Sequence, residues 1–583
     1  MKWLTEKTPW RPVKITFAVT LVLMALMIFF LAIGQPQKVF DALAFVGLVA
    51  TVLGWLFIIR KEYWPAFLTA VLYVFCFPHI RLGVLGFVCL VPLLAAVLKT
   101  GDTRKAMKLA WVAGTLGNIG KLYWLVYTIS YFSPIPLPAA TLVLLLLSST
   151  LGLFWALNLG TVHWAVKKGG LPLVLVFPAA WVFWDWFLTW FLGGFPWELL
   201  GCAAFHVPLL KQTFDLVGEH GLGWLLAFGN VVFYWLWLYF RKQKAFPKIS
   251  TVVLAVLVVA GMIYGAVRMH QIDKLAEQGK SITVGLLQGN VDQNIKWKPQ
   301  HRYRIMDEYA DQAQTVADQG AELVIFPETA IAQRQDRWEP LHRRIARYGH
   351  VSDRYVLAGA PTKARRKNRD DPRGRYIRHN SVVLISPDGD DVAWYDKNRL
   401  VPFGEYIPKK HWLEKIAGLF GVDKINGTLN FEPSGRYTLL PYPSAPFSVF
   451  ICYESVYPST VRRLANLGAK FLVTVTNDAW FGKTSAPYQH WDQVAMRAIE
   501  NRRYVARSAN TGITGIIDPN GRTIMASNIY VKATMIGTVK TLDITTIYAK
   551  IGDVAAYLAT LLYIGSLLLL LGRRLIVRKE KAK

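Results

Sequence analysis

Long apolar stretches separated by short polar ones fill the first 270 residues, and a last one lies near the C-terminus. Between about 270 and 550 the pattern changes to short β-branched runs alternating with amphipathic segments. A helix crossing a bilayer needs about 20 largely apolar residues. Stretches of that kind occupy 15–33, 39–59, 63–78, 82–98, 107–131, 138–165, 171–192, 221–240, 250–268 and 555–572. The third and fourth are short, with Pro78 and His79 marking the break between them. The pattern therefore predicts nine spans before the polar region and one after it. Lys2, Lys7, Arg11 and Lys14 ahead of the first run give it the look of a secretory signal. That run is long, lacks an A-x-A cleavage site and is soon followed by another span, so a retained first helix is expected.

Cytoplasmic connections of a multi-span protein carry the excess of lysine and arginine. With the N-terminus inside, the inner connections hold Arg60 and Lys61; Lys99, Arg104, Lys105 and Lys108; Lys167 and Lys168; and Arg241, Lys242, Lys244 and Lys248. The tail adds Arg573, Arg574, Arg578, Lys579, Lys581 and Lys583, whereas the outer connections hold Lys38, Arg81 and Lys211. The bias runs one way throughout and places the polar region outside the cytoplasm, in the periplasm of a Gram-negative cell. The segment 193–220 is apolar and aromatic but broken by Gly and Pro. It reads equally well as a partly re-entrant or interfacial stretch and as a long loop with a short amphipathic helix.

In the polar region, runs at Ile282–Leu287, Leu323–Phe326, Tyr355–Ala358, Ser381–Ile385, Phe447–Ile451 and Phe471–Thr476 read as strands. Helical patterns at 301–318, 338–349 and 487–503 lie between some of them. Strands alternating with helices predict an α/β domain, and about 280 residues suffice for a sizeable core.

Composition changes this picture little. The net charge of +28 would raise nucleic acid in a soluble chain, but much of it sits beside apolar segments, where topology accounts for it. Four cysteines, Cys76, Cys89, Cys202 and Cys452, form no CxxC or Cys/His cluster, so neither zinc nor a disulfide framework is expected. No cofactor motif appears.

The candidate chemistry lies just past the ends of predicted strands. Glu328 follows the run LVIF and Pro327; on its own it reads more often as a helix cap. Lys397 follows WYD, where a surface ion pair with Asp396 is the ordinary reading, and Glu405 comes eight residues later. Cys452 ends the run FSVFI and precedes Tyr453 and Glu454; a cysteine there is usually packing. Together these groups outweigh the separate readings. A thiol attacks as its thiolate, a carboxylate can take its proton, and a lysine can stabilise the resulting oxyanion.

The order PE…K…CYE, with VPFGE between, resembles the nitrilase superfamily and its Glu-Lys-Cys triad on an αββα sandwich. LVPFGEYIP, ICYES, QGNVDQNIKW, GGFPWELLG and the stretch from Asn477 to Gly515 resemble its membrane branch, the apolipoprotein N-acyltransferases, over roughly 62–575. The resemblance implies a polytopic α-helical membrane domain plus an α/β nitrilase-like αββα sandwich domain. It implies Glu328 as general base, Lys397 as oxyanion-stabilising lysine, Cys452 as nucleophile and Glu405 as a support. Tyr453 and Glu454 follow the nucleophile as in the family, and Trp297 is expected near the lipid or acceptor. The implied reaction is ping-pong: an acyl chain from a phospholipid, typically phosphatidylethanolamine, forms a thioester. The amine of a diacylglyceryl-cysteine then takes it. The expected partners are that phospholipid, a diacylated apolipoprotein and membrane lipids, with no nucleic acid, no metal and a monomeric chain.

The expected domains are 1–61, two additional N-terminal helices; 62–269, the core membrane portion; 270–550, the catalytic domain; and 551–583, a last span and basic tail. The two helices depart from the family's usual eight spans and, being even in number, preserve the downstream orientation. A second departure is the basic stretch 365–378, a candidate surface for anionic head groups or, as the favoured reading, a solvated hairpin. Two other functions compete. Hydrolysis of an amide or nitrile uses the same triad but needs no membrane portion. A transporter would need several ionisable residues within its spans, where Asp185 is the main one.

Overall fold

The computed structural model describes residues 61–133, 135–332, 335–336, 353–366, 375–408 and 430–582. The expected spans at 15–33 and 39–59, the helix at 338–349 and most of the basic stretch lie outside these.

The membrane portion contains α1 (Trp64–Phe75), α2 (Val91–Lys99), α3 (Thr103–Leu122), α4 (Trp124–Phe132), α5 (Leu137–His163), α6 (Leu173–Phe187), α7 (Phe214–Phe240) and α8 (Lys248–Glu277). Among the described residues, four helical stretches are long and apolar enough to cross a membrane: Leu137–Lys168, Leu210–Phe240, Lys248–Glu277 and Val554–Arg573. The expected spans at 63–78 and 82–98 yield shorter helices. A 12-residue α1 rises about 18 Å, less than the roughly 30 Å of a hydrocarbon core. The stretch at 107–131 divides into α3 and α4 at Tyr123. Asp102 starts α3 by accepting the Arg104 backbone N–H at 2.9 Å, an N-cap that satisfies one of the free donors of the first turn. Close packing of α3 on α5 depends on two glycines. A Cβ at Gly114 would come within 2.7 Å of the Trp155 ring, and one at Gly152 would strike Thr115. Ile249, Val252, Val256 and Ile263 on α8, with Leu142 and Leu146 on α5, remain exposed, an apolar surface of the kind that a bilayer covers in membrane-spanning helices.

The polar region folds as two stacked sheets. Its strands are β1 (Ser281–Gln288), β2 (Leu323–Ile325), β3 (Gln335–Asp336), β4 (Tyr355–Arg365), β5 (Tyr376–Ile385), β6 (Asp391–Asp396), β7 (Leu439–Leu440), β8 (Phe447–Ile451), β9 (Phe471–Thr476), β10 (Val505–Ala509), β11 (Gly515–Ile517), β12 (Thr523–Ala526) and β13 (Ala533–Lys540). One sheet runs β13-β1-β2-β4-β5-β6, with β3 beside β4; the other runs β12-β11-β10-β9-β8-β7. The central neighbours β1-β2-β4 and β8-β9-β10 are parallel. Successive side chains on a strand face opposite sides, and the two cores follow that rule. Ile282, Val284, Leu323, Ile325, Val382 and Leu384 pack inward against Val449, Ile451, Val473 and Val475 of the second sheet. Leu287, Val324, Val383 and Ile385 pack outward against Ile305, Tyr309 and Val316 of a covering helix, Arg302–Asp318. The helix Ala486–Asn501 covers the second sheet. The domain is thus the nitrilase-like α/β sandwich expected.

The segment 193–220 is neither an exposed loop nor an amphipathic helix. It forms tight turns at Leu200–His206 and Leu210–Thr213, and Trp197 to Ala204 are buried. It is buried because it is the seam between the two parts. Gln489 of the covering helix accepts both indole N–H groups of Trp124 (3.2 Å) and Trp197 (2.8 Å) and donates to the Lys121 carbonyl. Arg497 pairs with Glu219 at 3.0 Å, and Arg502 pairs with Asp215 at 2.9 Å while donating to Gln212, Pro519 and Asn520. Such pairs are tolerated in a dry interior because each charge is met by an opposite one.

Candidate active site

Each candidate residue leaves the end of a strand. Glu328 lies three residues past β2, Lys397 directly follows β6, and Cys452 directly follows β8. Ligand groups gather at the carboxyl ends of parallel strands because there the chain turns away and leaves a crevice. Two turns are backbone-strained: Cys452 has φ 51° and Thr329, next to Glu328, has φ 50°. Non-glycine residues adopt this region at a cost of order 1–3 kcal/mol, held by their surroundings. The Glu328 turn packs flush on β4, where a Cβ at Gly359 would stand 2.6 Å from both the Pro327 carbonyl oxygen and the Thr329 nitrogen.

The structure brings Glu328, Lys397 and Glu405 into contact. The Lys397 ammonium lies 3.2 Å from Glu328 Oε1 and 3.0 Å from Glu405 Oε1. Asn380 Nδ2 donates to the same two oxygens, at 2.6 and 2.7 Å. The second oxygen of Glu328 accepts the Asn477 backbone N–H at 2.8 Å, and that of Glu405 accepts the Val401 N–H at 2.8 Å. Both carboxylates are thereby fixed by donors at each oxygen. Burial alone would lower the affinity of Lys397 for its proton, but Glu328, Glu405 and Cys452 hold it above the ordinary lysine range. Burial pushes the Cys452 thiol up, the charges of Glu328 and Asp478 add to this, and Lys397 opposes them. The balance of these influences holds the Cys452 thiol toward its protonated form.

Glu454 does not face this cluster as a reactant. Its carboxylate is buried and accepts the N–H groups of Ile451 (2.7 Å), Asn398 (2.6 Å) and Arg399 (3.2 Å) and the Tyr395 hydroxyl (2.9 Å). It clamps the strand end before Cys452 to the turn after Lys397. Burial raises it to about 7 against the pull of those backbone donors. Tyr453 turns to the membrane portion: its ring stacks on Trp197 and its hydroxyl donates to the Gly194 carbonyl at 3.4 Å. Trp297 is half-buried and caps the short helix Gln293–Lys296.

Sequence reasoning missed several residues around the cluster. Besides Asn380 and Asn477, Lys296 donates to the Glu328 carbonyl at 3.2 Å and to Thr329 Oγ1 at 2.8 Å, and burial lowers it to about 8. His490, Asp478 and Arg507 form a buried group under Cys452. The one available signal was position: Lys296 precedes Trp297, and Asp478 follows Asn477, within motifs already singled out. Among the described residues no set of three or more His, Cys, Asp or Glu is arranged to hold a metal ion.

Residues 69–232 match the family description "Apolipoprotein N-acyltransferase N-terminal domain". Residues 283–548 match "Carbon-nitrogen hydrolase". Over 507 residues the chain is 33% identical to the apolipoprotein N-acyltransferase of Geobacter metallireducens, covering 85% of this chain and 93% of the relative. The chain belongs to the apolipoprotein N-acyltransferase family. The enzyme of that name from Methylococcus capsulatus is 32% identical over 397 residues, 67% of this chain and 73% of its own length. Among solved structures, Saccharomyces cerevisiae Nit3, a member of branch 10 of the nitrilase superfamily, covers 45% of this chain and 90% of its own at 14% identity and a TM-score of 0.34. Membership makes the chain a membrane acyltransferase with a nitrilase-like domain.

Proposed function

We propose that the chain transfers an acyl chain from a phospholipid, phosphatidylethanolamine for preference, to the N-terminal amine of a diacylglyceryl-cysteine lipoprotein, through a thioester on Cys452. The observation that carries this reading is the cluster of Lys397 with Glu328 and Glu405, acting electrostatically on the Cys452 thiol, directly over the aromatic seam with the membrane portion. Glu328 takes the thiol proton as sulfur attacks the ester carbonyl, and Lys397 stabilises the oxyanion. Collapse of the intermediate breaks the ester C–O bond, and Glu328 returns the proton to the leaving lysophospholipid oxygen. The neutral acceptor amine then attacks the thioester, an amide forms, the C–S bond breaks and the thiol is regenerated. Glu405 and Asn380 keep Lys397 and Glu328 in register, and Trp297 borders the route of the lipid or acceptor.

The charge bias of the connecting segments supports an inner-membrane protein with its catalytic domain in the periplasm. A monomer suffices, since every group named comes from one chain. The test is intact-protein mass spectrometry after incubation with phosphatidylethanolamine. The wild type should gain one acyl chain, Cys452→Ala should gain none, and a diacylated lipopeptide should discharge the adduct. An adduct discharged by water alone would make the chain a hydrolase, and no adduct would refute the donor.

A further inference from the structure

Beneath the nucleophile lies a buried group that the reaction above does not use. His490 Nε2 is 3.0 Å from the Cys452 carbonyl oxygen, and its Nδ1 is 2.9 Å from Asp478 Oδ1. Arg507 Nη2 donates to Asp478 Oδ2 at 2.7 Å and also stands 3.1 Å from His490 Nδ1. Thr476 Oγ1 donates to Asp478 Oδ1 at 2.8 Å. All three ionisable groups are buried. A carbonyl oxygen can only accept, so Nε2 carries a hydrogen whichever way Nδ1 is used. Arg507 and His490 hold the Asp478 carboxyl at about 2, against the effect of burial, so it stays charged and keeps the imidazole oriented. The arrangement looks like a nucleophile–histidine–aspartate relay, but its donor ends on the backbone of the nucleophile.

That placement has a mechanical consequence. Cys452 sits at φ 51°, a conformation that relaxes unless something holds it. A trans peptide is planar, so pinning its carbonyl also fixes the N–H on its opposite edge, here that of Tyr453. The residue before His490, Gln489, binds Trp124 and Trp197 of the membrane portion. One helical turn therefore braces the nucleophile's peptide against aromatic residues of the seam.

We propose that His490, oriented by Asp478 and Arg507, is a positioning residue that fixes the Cys452–Tyr453 peptide for attack on the acyl carbonyl. This rests on Cys452 being the acylated residue. Its absence should slow acylation, which needs an aligned oxyanion, more than simple alkylation of the thiol, which does not.

The experiment compares wild type, His490→Ala and His490→Gln in phospholipid nanodiscs. It measures single-turnover acylation at saturating phosphatidylethanolamine, and alkylation of Cys452 by iodoacetamide. Loss of alignment at an oxyanion site costs about 10²-fold. His490→Ala should lose that much in acylation with alkylation within about twofold of wild type. His490→Gln, whose amide nitrogen reaches the place of Nε2, should recover most of the loss. Acylation and alkylation falling together, acylation unchanged in the Ala variant, or Gln as slow as Ala would each overturn the proposal. Should His490→Ala lose its cooperative thermal unfolding, Asp478→Asn must show the same split between the two reactions. A wild type that acylates while the split is absent condemns only the role of His490; a wild type that never acylates condemns the functional reading with it.

Discussion

Replacing Lys397 with methionine removes the cation between two carboxylates while nearly keeping its volume, and its effect can be worked from the geometry. Asn380 Nδ2 bonds Glu328 Oε1 and Glu405 Oε1 at 2.6 and 2.7 Å. Those two oxygens therefore stand roughly 5 Å apart or closer. At an effective dielectric constant of about 20, two unit charges at about 5 Å repel by about 3 kcal/mol. Without Lys397 that repulsion has no counter-charge inside the cluster and strains the bonds by which Asn380 holds the two side chains. Under the proposed function Glu328 then loses its alignment as base and the oxyanion loses its ammonium, the latter a loss of about 10²–10³-fold by itself. The assay is single-turnover thioester formation, followed by intact mass. Lys397→Met should be at least about 10²-fold slower than wild type. A rate within about tenfold of wild type refutes the role given to Lys397 here.

Gly359→Ala should push the Glu328 turn outward, since its new methyl meets backbone atoms at 2.6 Å. Acylation should fall by about 10²-fold, while the lipid concentration needed for half-saturation stays within about threefold. Arg502→Met removes a buried cation from Asp215 and four further acceptors; it should destabilise the protein by about 3–5 kcal/mol, read as a lowered thermal midpoint in nanodiscs. Because burial, Glu328 and Asp478 raise the Cys452 thiol, its thiolate fraction at neutral pH lies on the rising limb. Alkylation by iodoacetamide should then climb about tenfold per pH unit up to about pH 9, and a plateau near pH 7 would contradict this.

The candidate residues stand out in the sequence where chemistry coincides with strand ends. Glu328 and Cys452 each follow a β-branched run that marks its own end, whereas Lys397 follows DVAWYD, which carries a single β-branched residue. Asn380 was hidden because it stands just before the run Ser381–Ile385 as one polar residue among others, and it gains meaning only when Glu328 and Glu405 arrive from other parts of the chain. Nothing in the stretch ENRRYVARS marks its arginines as interior, yet Arg502 and Arg507 are fully buried. Their partners Asp215 and Asp478 are distant in sequence, and pairing at that range is set by tertiary packing. The short strands β10 to β12 carry Ser, Arg, Gly and Thr among their apolar residues, too weak an alternation to stand out. Hydropathy located the apolar stretches but not the length of each helix, since the stop after Phe75 is made by local turns.

The position of Cys452 also bears on why a nitrilase-like domain sits on a membrane portion. Under the proposed function a thioester on Cys452 has two routes of resolution, water or an amine, and Glu328, Lys397 and Cys452 do not choose between them. Access does. Cys452 is 7% exposed, and on its far side Tyr453 and His490 lie against Trp197, which is packed on Trp124 and Phe481. Trp124 and Trp197 come from the membrane portion, and their indole N–H groups are spent on Gln489. Among the described residues this wall is aromatic. Under the proposed function, an acceptor whose diacylglyceryl group partitions into the bilayer reaches the thioester at high effective concentration. Under the proposed function, selectivity for the amine then follows from where the domain is seated, and the same triad on a soluble sandwich would carry no such bias.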